Sequence, residues 1–353
     1  MGGCGLTNLK DIARHLGLSP ATVSRALNGF PEVGAKTRAR VLEASRKLNY
    51  APNITARRLA TGKAGTVGMV FRSARNLLLD PHFVDFLAGL SLVLSDRQLD
   101  LMIHVAPPGQ QLAHYKRFMA SGSVDGMILS APEIDDKRIQ TLLEADFPFA
   151  VHGRSHDDAP YAFYDIDNDS AFSAAFGLLH DLGHRRIAFL NGPEDLAFAR
   201  QRLSAFNREC KARQIHVPDR FISHDEMRED IGYEQAASML HGDLNLRPTA
   251  FICSSTLLAL GVMRATIEAG LEPGGDISII AHDDVLPHFR SEHFAIPLTV
   301  TRAPIRDAGT RLAQMISDLV AGADPKAMQY TQKTDLIVRA STGAVPRRGD
   351  KPW

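Results

Sequence analysis

The first regular pattern of apolar and polar residues, at positions 8–28, predicts two short helices joined by a tight turn. Apolar residues recur at intervals of three and four in each helix: Leu9, Ile12, Ala13 and Leu16 in the first, Val23, Ala26 and Leu27 in the second. Gly17 permits the turn, and Ser19 followed by Pro20 is typical of a helix start. The residues left facing outward on the second helix are small or polar: Ala21, Thr22, Ser24, Arg25 and Asn28.

The next two segments extend this N-terminal part of the chain. Residues 37–49 have the spacing of a third amphipathic helix, with Pro31 before it and Pro52 shortly after it. Residues 53–63 are basic and compatible with a helix, but they carry few apolar side chains. Because so short a helix is unstable by itself, we expect this segment to be a hinge that becomes ordered only with a partner.

From Thr66 onward, apolar strands alternate with amphipathic helices, which indicates parallel sheets covered on both faces. The predicted strands are 66–71, 99–105, 124–130, 148–153, 186–192, one near Phe221, 249–254 and 276–283. The predicted helices include 82–98, 170–183, 198–213, 231–241 and 256–269. The alternation restarts after Asp167, so we predict two lobes with a cleft between them. Ligands of such sheets bind beyond the carboxyl ends of the strands, which would face the cleft.

Charge is divided unevenly along a chain whose total is neutral. Residues 1–63 contain eleven basic and three acidic side chains, whereas the remaining residues contain 29 basic and 37 acidic ones. A compact basic head is typical of proteins that bind polyanions, since neutralised phosphates supply most of the non-specific affinity for DNA. Two helices at a steep angle, with a small polar face on the second, have the geometry that enters a major groove. An ordinary helical hairpin is the alternative.

Composition and motifs limit the classes of protein to which this chain can belong. A chain of 353 residues is long enough for two or three domains. Three widely spaced cysteines suit a reducing cytosol better than a disulfide framework, and neither a signal peptide nor a long apolar span is recognisable. The motifs of phosphate-binding loops, nucleophile elbows and HExxH metal sites are absent from the sequence, so we expect a protein that is not an enzyme and needs no cofactor or metal.

Five segments together resemble the lactose-repressor/galactose-repressor (LacI/GalR) family: LKDIARHLGLSPATVSRALN, LNYAPNITARRLATGKAGTVGMV, DLGHRRIAFLNGP, GDISIIAHDD and PLTVTR. The resemblance runs in register over about residues 8–341. It implies an α/β fold, with an N-terminal three-helix helix-turn-helix head and a bilobed body that is similar to periplasmic binding proteins and has two parallel sheets. A narrower resemblance, carried by PFAVHGR, LNGP and IAHDD, is to regulators of bacterial α-glucoside utilisation.

The family's organisation implies boundaries for this chain. The helix-turn-helix domain would cover residues 1–52, the hinge 53–64 and the effector-binding body 65–341, followed by a tail at 342–353. Within the body, the first lobe would consist of about 65–166 and 299–325, and the second of about 167–298 and 326–341. The resemblance also implies a cytoplasmic homodimer that binds double-stranded operator DNA and a small sugar effector.

Matching the recognition helix position by position assigns the DNA contacts. Pro20 and Ala21 occupy the main base-contacting positions, and Arg25 matches an arginine suited to bidentate contact with guanine. Thr22, Ser24 and Asn28 match positions next to phosphates or bases, where short polar groups fix the register.

The hinge supplies the remaining implied DNA contacts. Leu59 matches a leucine that wedges into the minor groove and bends the duplex. Asn53 and Ala56 complete the implied DNA-contacting set. Packing of Leu59 against its own domain is the alternative, although Arg57 and Arg58 beside it favour contact with DNA.

The implied effector site lies in the cleft. Arg202 matches an arginine that clamps the effector, and a guanidinium fork suits two adjacent sugar hydroxyls or a carboxylate. Asp283 matches a second ligand that accepts hydrogen bonds from hydroxyls, and Phe83 matches a ring-stacking position. The other members of the implied set are Phe198, Arg154, Met227 and Ser255, with Asp167 beside them. The pair Asp283-Asp284 leaves a metal or paired-carboxylate site as an alternative.

Several positions depart from the family's pattern, so the effector cannot be transferred from relatives. Ser255 and Thr256 replace a common Asn-Asp pair, Met227 and His282 replace aromatic residues, and Ala303 replaces a polar contact. Dimerisation is expected through apolar residues of helix 82–98: Phe83, Phe86, Leu87, Leu90, Val93 and Leu94.

The expected mechanism is that effector binding changes the orientation of the lobes and thereby the spacing of the two hinges. We predict a repressor of a sugar-utilisation operon that is released by a sugar. The alternatives are a corepressor-dependent regulator, a stand-alone sugar-binding protein and an α/β enzyme.

Overall fold

The computed structural model describes residues 8–27, 30–48, 50, 62–72, 80–107, 109–241 and 246–345. Contacts divide the chain into two compact units, residues 1–65 and 66–353. The predicted hinge at 53–64 lies almost entirely outside the described residues, as does the tail beyond residue 345. Among the described residues, no helix is both long and apolar enough to cross a membrane.

The first unit contains three helices, α1 (Leu9–Leu16), α2 (Pro20–Leu27) and α3 (Ala35–Lys47). The three helices and the turn before α3 contribute apolar residues to one small core: Ile12, Ala13, Val23, Ala26, Val33, Val41 and Ala44. Four of the seven residues predicted to face inward on the first two helices belong to this core, and the other three, Leu9, Leu16 and Leu27, are partly buried against it. The third helix begins and ends two residues earlier than predicted.

Local capping fixes the ends of α1. The side chain of Asn8 accepts hydrogen bonds from the backbone N–H groups of Lys10 and Asp11, and Asp11 accepts one from the backbone of Asn8. Gly17 ends the helix in the left-handed conformation, with a φ of 66°, which glycine adopts without steric cost. The turn before α2 is held by Ser19, whose hydroxyl accepts from the backbone N–H of Thr22 at 3.0 Å. The helix-turn-helix geometry is therefore encoded within about fifteen residues.

The second unit is built on two six-stranded sheets, one in each lobe. The strands are β1 (Thr66–Arg72), β2 (Asp100–Ala106), β3 (Gly126–Ser130), β4 (Phe149–His152), β5 (Ala162–Ile166), β6 (Ile187–Asn191), β7 (Ile222–His224), β8 (Ala250–Cys253), β9 (Ser278–Asp283), β10 (Thr299–Arg302), β11 (Gln329–Gln332) and β12 (Asp335–Ile337). The strand order is β11-β5-β4-β3-β1-β2 in the first sheet and β12-β10-β9-β8-β6-β7 in the second. All pairs of neighbours are parallel except β10 and β12.

Eight helices cover the two sheets in the described part of this unit. They are α4 (Pro81–Asp96), α5 (Gln111–Ser121), α6 (Lys137–Glu144), α7 (Asn168–Asp181), α8 (Ala197–Ala212), α9 (Glu229–Leu240), α10 (Thr256–Glu268) and α11 (Ile305–Val320). The predicted strands and helices that fall in this region all correspond to one of these elements. Strands β5, β10, β11 and β12, each of three to five residues, were not predicted.

Two helices of the first lobe, α4 and α11, pack unusually closely. A Cβ atom on Gly89 would lie 2.2 Å from the carbonyl oxygen of Arg306, and one on Gly309 would lie 2.2 Å from that of Phe86. The missing side chains therefore allow the two backbones to touch. The apolar residues of α4 are buried against α11 and the sheet, where each stabilises the lobe by about 1.5–3 kcal/mol.

This packing corrects the predicted dimerisation surface. Phe83, Phe86, Leu90 and Leu94 are buried within their own lobe, and Leu87 and Val93 are partly buried. The apolar residues of α4 that remain exposed are instead Val84 and Leu92. The periodicity could not show this, because α11 is supplied by sequence more than 200 residues away.

The chain crosses between the lobes three times, at 167, at 303–304 and at 333–334. The lobe boundaries predicted from the resemblance are wrong in two places: β10 joins the second sheet rather than the first, and β11 joins the first rather than the second. Residues 342–345 are also not a free tail, since Val345 donates to the carbonyl of Leu182 at 3.0 Å.

Candidate nucleic-acid interface and inter-lobe site

The second helix of the first unit presents a small exposed surface. Pro20, Ala21 and Arg25 are exposed, whereas Thr22 and Ser24 are half-buried. The opposite face packs Val23 and Ala26 into the core. All five residues predicted to contact DNA within α2 therefore have at least part of their surface accessible. The other four, Asn28, Asn53, Ala56 and Leu59, lie outside the described residues.

Arg25 is the only basic residue of α2. It forms no ion pair within the described part of the chain, whereas Arg14 on α1 lies 3.4 Å from Asp11 and Lys47 lies 2.8 Å from Glu43. Its guanidinium keeps five donors in a fixed fork that matches the acceptor pair of a guanine edge. The geometry of α2 therefore suits readout of one base pair by a single arginine, with methyl contacts from its neighbours.

In the second unit, Arg202 on α8 is buried between the two lobes. Its Nε donates to the side-chain oxygen of Asn168 at 2.7 Å, and Nη1 donates to the carbonyl of Ser254 at 2.9 Å. The guanidinium carbon lies 4.9 Å from the ring centroid of Phe172 and 4.7 Å from that of Phe198. Burial lowers the pKa of Arg202 to about 10, against the opposing effect of nearby carboxylates, so the group stays charged at neutral pH.

The donors of Arg202 are only partly used. Nη2 makes no hydrogen bond to any described residue, although the two rings hold the guanidinium plane in place. Asn168 is itself fixed, because its amide donates to the carbonyl of Ile166 and to the side chain of Gln201. Arg202 is therefore a preorganised cation whose Nη2 can still donate hydrogen bonds, and it lies next to the first crossover between the lobes.

The sequence predicts Asp283 as the acceptor of this site, but the carboxylate that faces the site belongs to Asp284. Asp283 accepts a hydrogen bond from the hydroxyl of Ser291 at 2.6 Å and another from the backbone of Val285 at 2.8 Å. Its carboxylate thus holds the loop after β9. Asp284 lies one residue beyond the end of that strand, where the chain turns, so its side chain points toward the first lobe and reaches His82.

His82, at the start of α4, connects the lobes through two carboxylates. Its Nδ1 lies 3.0 Å from Asp80, which caps the same helix, and its Nε2 lies 3.2 Å from Asp284. Burial alone would lower the pKa of His82, but the two carboxylates raise it to about 10. Burial likewise opposes ionisation of Asp284, yet His82, His282 and Arg202 lower its pKa to about 2. The imidazolium and the carboxylate are therefore both charged at neutral pH.

Two further histidines near this ion pair are neutral. Burial lowers the pKa of His282 and of His152 to about 4. His282 contacts the hydroxyl of Thr301 through Nδ1 at 3.1 Å, and its Nε2 has no hydrogen-bond partner among the described residues. That nitrogen lies 3.8 Å from Asp284. It remains a buried polar atom at the edge of the site, which a polar ligand could satisfy.

Phe198 and Met227 are the predicted residues that lie with Arg202 in one cluster. A Cβ atom on Gly192 would lie 2.9 Å from the ring of Phe198 and 3.5 Å from the sulfur of Met227, so the glycine leaves space between them. Phe83 lies next to His82 but packs edge-on against Phe71, with ring centroids 4.9 Å apart.

The remaining predicted residues have other contacts. Arg154 lies 2.9 Å from Asp165, and Ser255 caps α10 by accepting from the backbone of Leu258. Asp167 caps α7 in the same way, through the backbone of Ser170. The structure therefore assembles the site from Arg202, Phe198 and Met227. It adds His82 and Asn168, which the sequence did not indicate as ligands, and Asp284, which had been considered only as half of a metal or paired-carboxylate site. The motif DPHF contains His82 and HDD contains Asp284, whereas no motif singled out Asn168.

The lobes also touch through their backbones, with Ala197 donating to the carbonyl of Pro132 at 2.9 Å. The structure thus represents a closed arrangement around the charged cluster. No group of three or more His, Cys, Asp or Glu side chains in the described part of the chain is arranged to hold a metal ion.

Comparison with known proteins places both units in one family. Residues 8–53 match the model of bacterial regulatory proteins of the lacI family, and residues 176–342 match that of periplasmic binding protein-like domains. The transcriptional regulator AglR of Rhizobium meliloti is 44% identical over 346 residues, covering 98% of this chain and 97% of AglR. CelR of Thermobifida fusca is 27% identical over 336 residues, which cover 94% of this chain and 97% of CelR.

Solved structures agree with this relationship over almost the whole chain. A lac repressor dimer bound to operator and the anti-inducer ONPF superposes with a TM-score of 0.79 at 26% identity, covering 96% of this chain and all of the other. A complex of CelR with cellobiose superposes with a TM-score of 0.69 at 26% identity, covering 95% of this chain and 99% of CelR. The chain therefore belongs to the lacI family of bacterial regulatory proteins, and is a DNA-binding transcriptional regulator rather than an enzyme.

Proposed function

We propose that this protein is a cytoplasmic homodimer that represses a sugar-utilisation operon and is released by a small sugar bound between the lobes. The observation that carries the proposal is the cluster formed by the buried Arg202 and Asp284 with the partly buried His82. Nη2 of Arg202 can donate to hydroxyl oxygens, while the carboxylate of Asp284 can accept from hydroxyl hydrogens. A polyhydroxy compound offers both kinds of group.

The class of sugar follows from the sequence motifs PFAVHGR, LNGP and IAHDD, whose resemblance to regulators of α-glucoside utilisation favours an α-glucoside. The R. meliloti relative, which is 44% identical, is likewise named a transcriptional regulator. The solved CelR complex contains cellobiose, so a disaccharide occupies at least one relative of this fold. The alternative is that the ligand acts as a corepressor, which tightens operator binding instead of releasing it. A stand-alone sugar-binding protein is disfavoured, because it would need no basic head.

DNA binding is proposed to use Pro20, Ala21, Thr22, Ser24 and Arg25 of α2. Asn28 and the hinge residues Asn53, Ala56 and Leu59 would complete the contacts. Four exposed apolar residues on α4 and β2 support a dimer contact through the first lobe: Val84, Leu92, Ile103 and Val105. Such residues are costly to leave in water over a contiguous area. In this proposal the sugar changes the relative population of two lobe orientations and thereby the affinity for operator.

Fluorescence anisotropy with DNA from upstream of the protein's own gene tests the proposal. Binding should be sequence-selective and weaken as salt rises. Maltose, sucrose and trehalose are then added separately, and at least one should release the DNA. Arg202→Ala should abolish release but not DNA binding. Arg208→Ala on the same helix is the matched control, because Arg208 is exposed and paired with Asp169. A sequence-selective complex that none of the sugars alters would refute the sugar proposal, and the lack of any selective complex would refute the operator proposal.

A further inference from the structure

A polar cavity lies in the first lobe, on the side of β5 and β11. It has a volume of about 260 Å³ and is lined by residues of β5, α11 and β11: Tyr164, Asp307, Thr310, Arg311, Gln314, Tyr330 and Gln332. None of these residues belongs to the cluster around Arg202 and Asp284.

Tyr164 at the inner wall carries the feature that points to a ligand. The residue is only 2% exposed, and its hydroxyl has no hydrogen-bond partner among the described residues. Its ring stacks on Tyr330, with centroids 5.5 Å apart, and the ring of His152 lies 6.3 Å away on the other side. Packing therefore fixes the direction of the hydroxyl. Leaving such a group unpaired is costly, so a built cavity beside it suggests a partner that the protein itself does not supply.

The other polar groups at the wall are also largely uncommitted. Asp307 and Arg311 form no ion pair within the described part of the chain, although Arg311 lies 5.2 Å over the ring of Tyr330. Gln332 is engaged, since it accepts from the hydroxyl of Tyr330 at 3.1 Å and donates to the carbonyl of Lys333. The cavity therefore presents donors at Arg311 and Tyr164, acceptors at Asp307, and both at Gln314.

This balance selects the class of ligand. An anion would face the carboxylate of Asp307, and a cation would face the guanidinium of Arg311. Burial, with the negative charge of Asp307 next in effect, raises the pKa of Tyr164, so its hydroxyl stays protonated and donates. An uncharged compound with several hydroxyl groups can both accept from Arg311 and Tyr164 and donate to Asp307. A single sugar ring has this chemistry and is small enough for the cavity.

We infer that the first lobe carries a second binding site, for one uncharged sugar unit, in the cavity between Tyr164, Arg311 and Asp307. The ring can come from a free monosaccharide or from one end of a disaccharide. This site goes beyond the proposed effector site and does not depend on it, because the two share no residue.

The test uses the full-length protein carrying Arg202→Ala, which disables the proposed inter-lobe site. Ring resonances of ¹³C-labelled tyrosine are followed by NMR while D-glucose or maltose is added. Saturable shifts of Tyr164 and Tyr330 are expected with at least one of them, and glucose acting alone would identify the free monosaccharide as the source. Tyr164→Phe should weaken binding about threefold to tenfold, the usual effect of one neutral hydrogen bond.

Tyr115→Phe is the matched control. The hydroxyl of Tyr115 is equally buried and also has no hydrogen-bond partner among the described residues, but it lies outside the cavity. Neither substitution should lower stability, since each removes an unpaired hydroxyl, and Tyr115→Phe should leave sugar affinity unchanged. Equal affinity of the Tyr164→Phe protein and its parent, or no saturable shift with either sugar, would overturn the inference. Because DNA is absent, neither result bears on the repressor proposal.

Discussion

His82 and Asp284 form an ion pair of 3.2 Å that joins the first helix of one lobe to the end of a central strand of the other. Asp284 is buried and His82 is partly buried, and Asp80 supports the imidazole from the opposite side. Separation of the lobes breaks this contact and exposes both charges to water. The ion pair therefore links the protonation of one histidine to the closed arrangement of the body.

The stability of the body should fall as the pH rises above neutrality. The pKa of His82 is about 10 in the folded protein and 6.5 when exposed, so its contribution is fully present below pH 6.5 and is lost as the pH approaches 10. The other titratable groups around the ion pair are Asp80, Arg202, His152 and His282, and none of them titrates between pH 7 and 8.5. Calorimetry should show a melting temperature that decreases over this interval.

Substitution of His82 tests whether this residue causes the loss of stability at higher pH. His82→Gln should remove most of the decrease in melting temperature between pH 7 and 8.5. His156→Gln is the control, because His156 lies 3.1 Å from Asp135 but both side chains are largely exposed, so the pair contributes little. An unchanged slope in the His82→Gln protein would show that the inter-lobe ion pair is not linked to folding.

The two neighbouring aspartates should have separable roles. Asp284→Asn removes the negative charge that faces His82 and Arg202, so we expect it to abolish the sugar response of operator binding. Asp283→Asn weakens the hydrogen bonds to Ser291 and Val285 and should lower stability by about 1–3 kcal/mol while the response remains. Urea unfolding and anisotropy titrations measure the two effects. The reverse pattern would restore Asp283 as the effector ligand.

The contact between α4 and α11 should not tolerate a methyl group. Gly89→Ala places Cβ 2.2 Å from the backbone oxygen of Arg306, which cannot move without shifting a helix, so a loss of about 2 kcal/mol or more is expected. Gly177→Ala is the control, because it also lies within a helix but meets only the flexible end of Arg213 at 3.5 Å. It should be neutral or stabilise by about 0.5–1 kcal/mol. Chemical denaturation compares the two.

Substitution of Arg25 should reduce discrimination between operators more than it reduces general affinity for DNA. Arg25→Ala is expected to cost about 1–3 kcal/mol on the preferred sequence and little on unrelated DNA. Arg14→Ala is the control, since Arg14 is exposed on α1 and lies beside Asp11. Anisotropy at several salt concentrations distinguishes the two. A uniform loss on all sequences would show that Arg25 contacts phosphate rather than a base.

Predictions from the sequence were most accurate where the determining interactions are local. The turn at Gly17, the helix start at Ser19 and Pro20, and the alternation of strands and helices from Thr66 to Asp283 depend on neighbours within a few residues. The resemblance to the family extended this to the fold. The lobe assignment from the resemblance failed at strands β10 and β11. A strand of four residues can pair with either sheet, and only the tertiary structure determines which sheet it joins.

The sequence by itself determined the basic three-helix head, the two α/β lobes and the position of Arg202 on a helix beside the cleft. Only the tertiary structure decided that Asp284 rather than Asp283 faces that arginine and that His82 completes the cluster. The reason is physical: the turn after β9 changes the direction of successive side chains. The partner of Asp284 lies some 200 residues earlier in the chain, and each group stays charged because of oppositely charged neighbours that no local pattern reports.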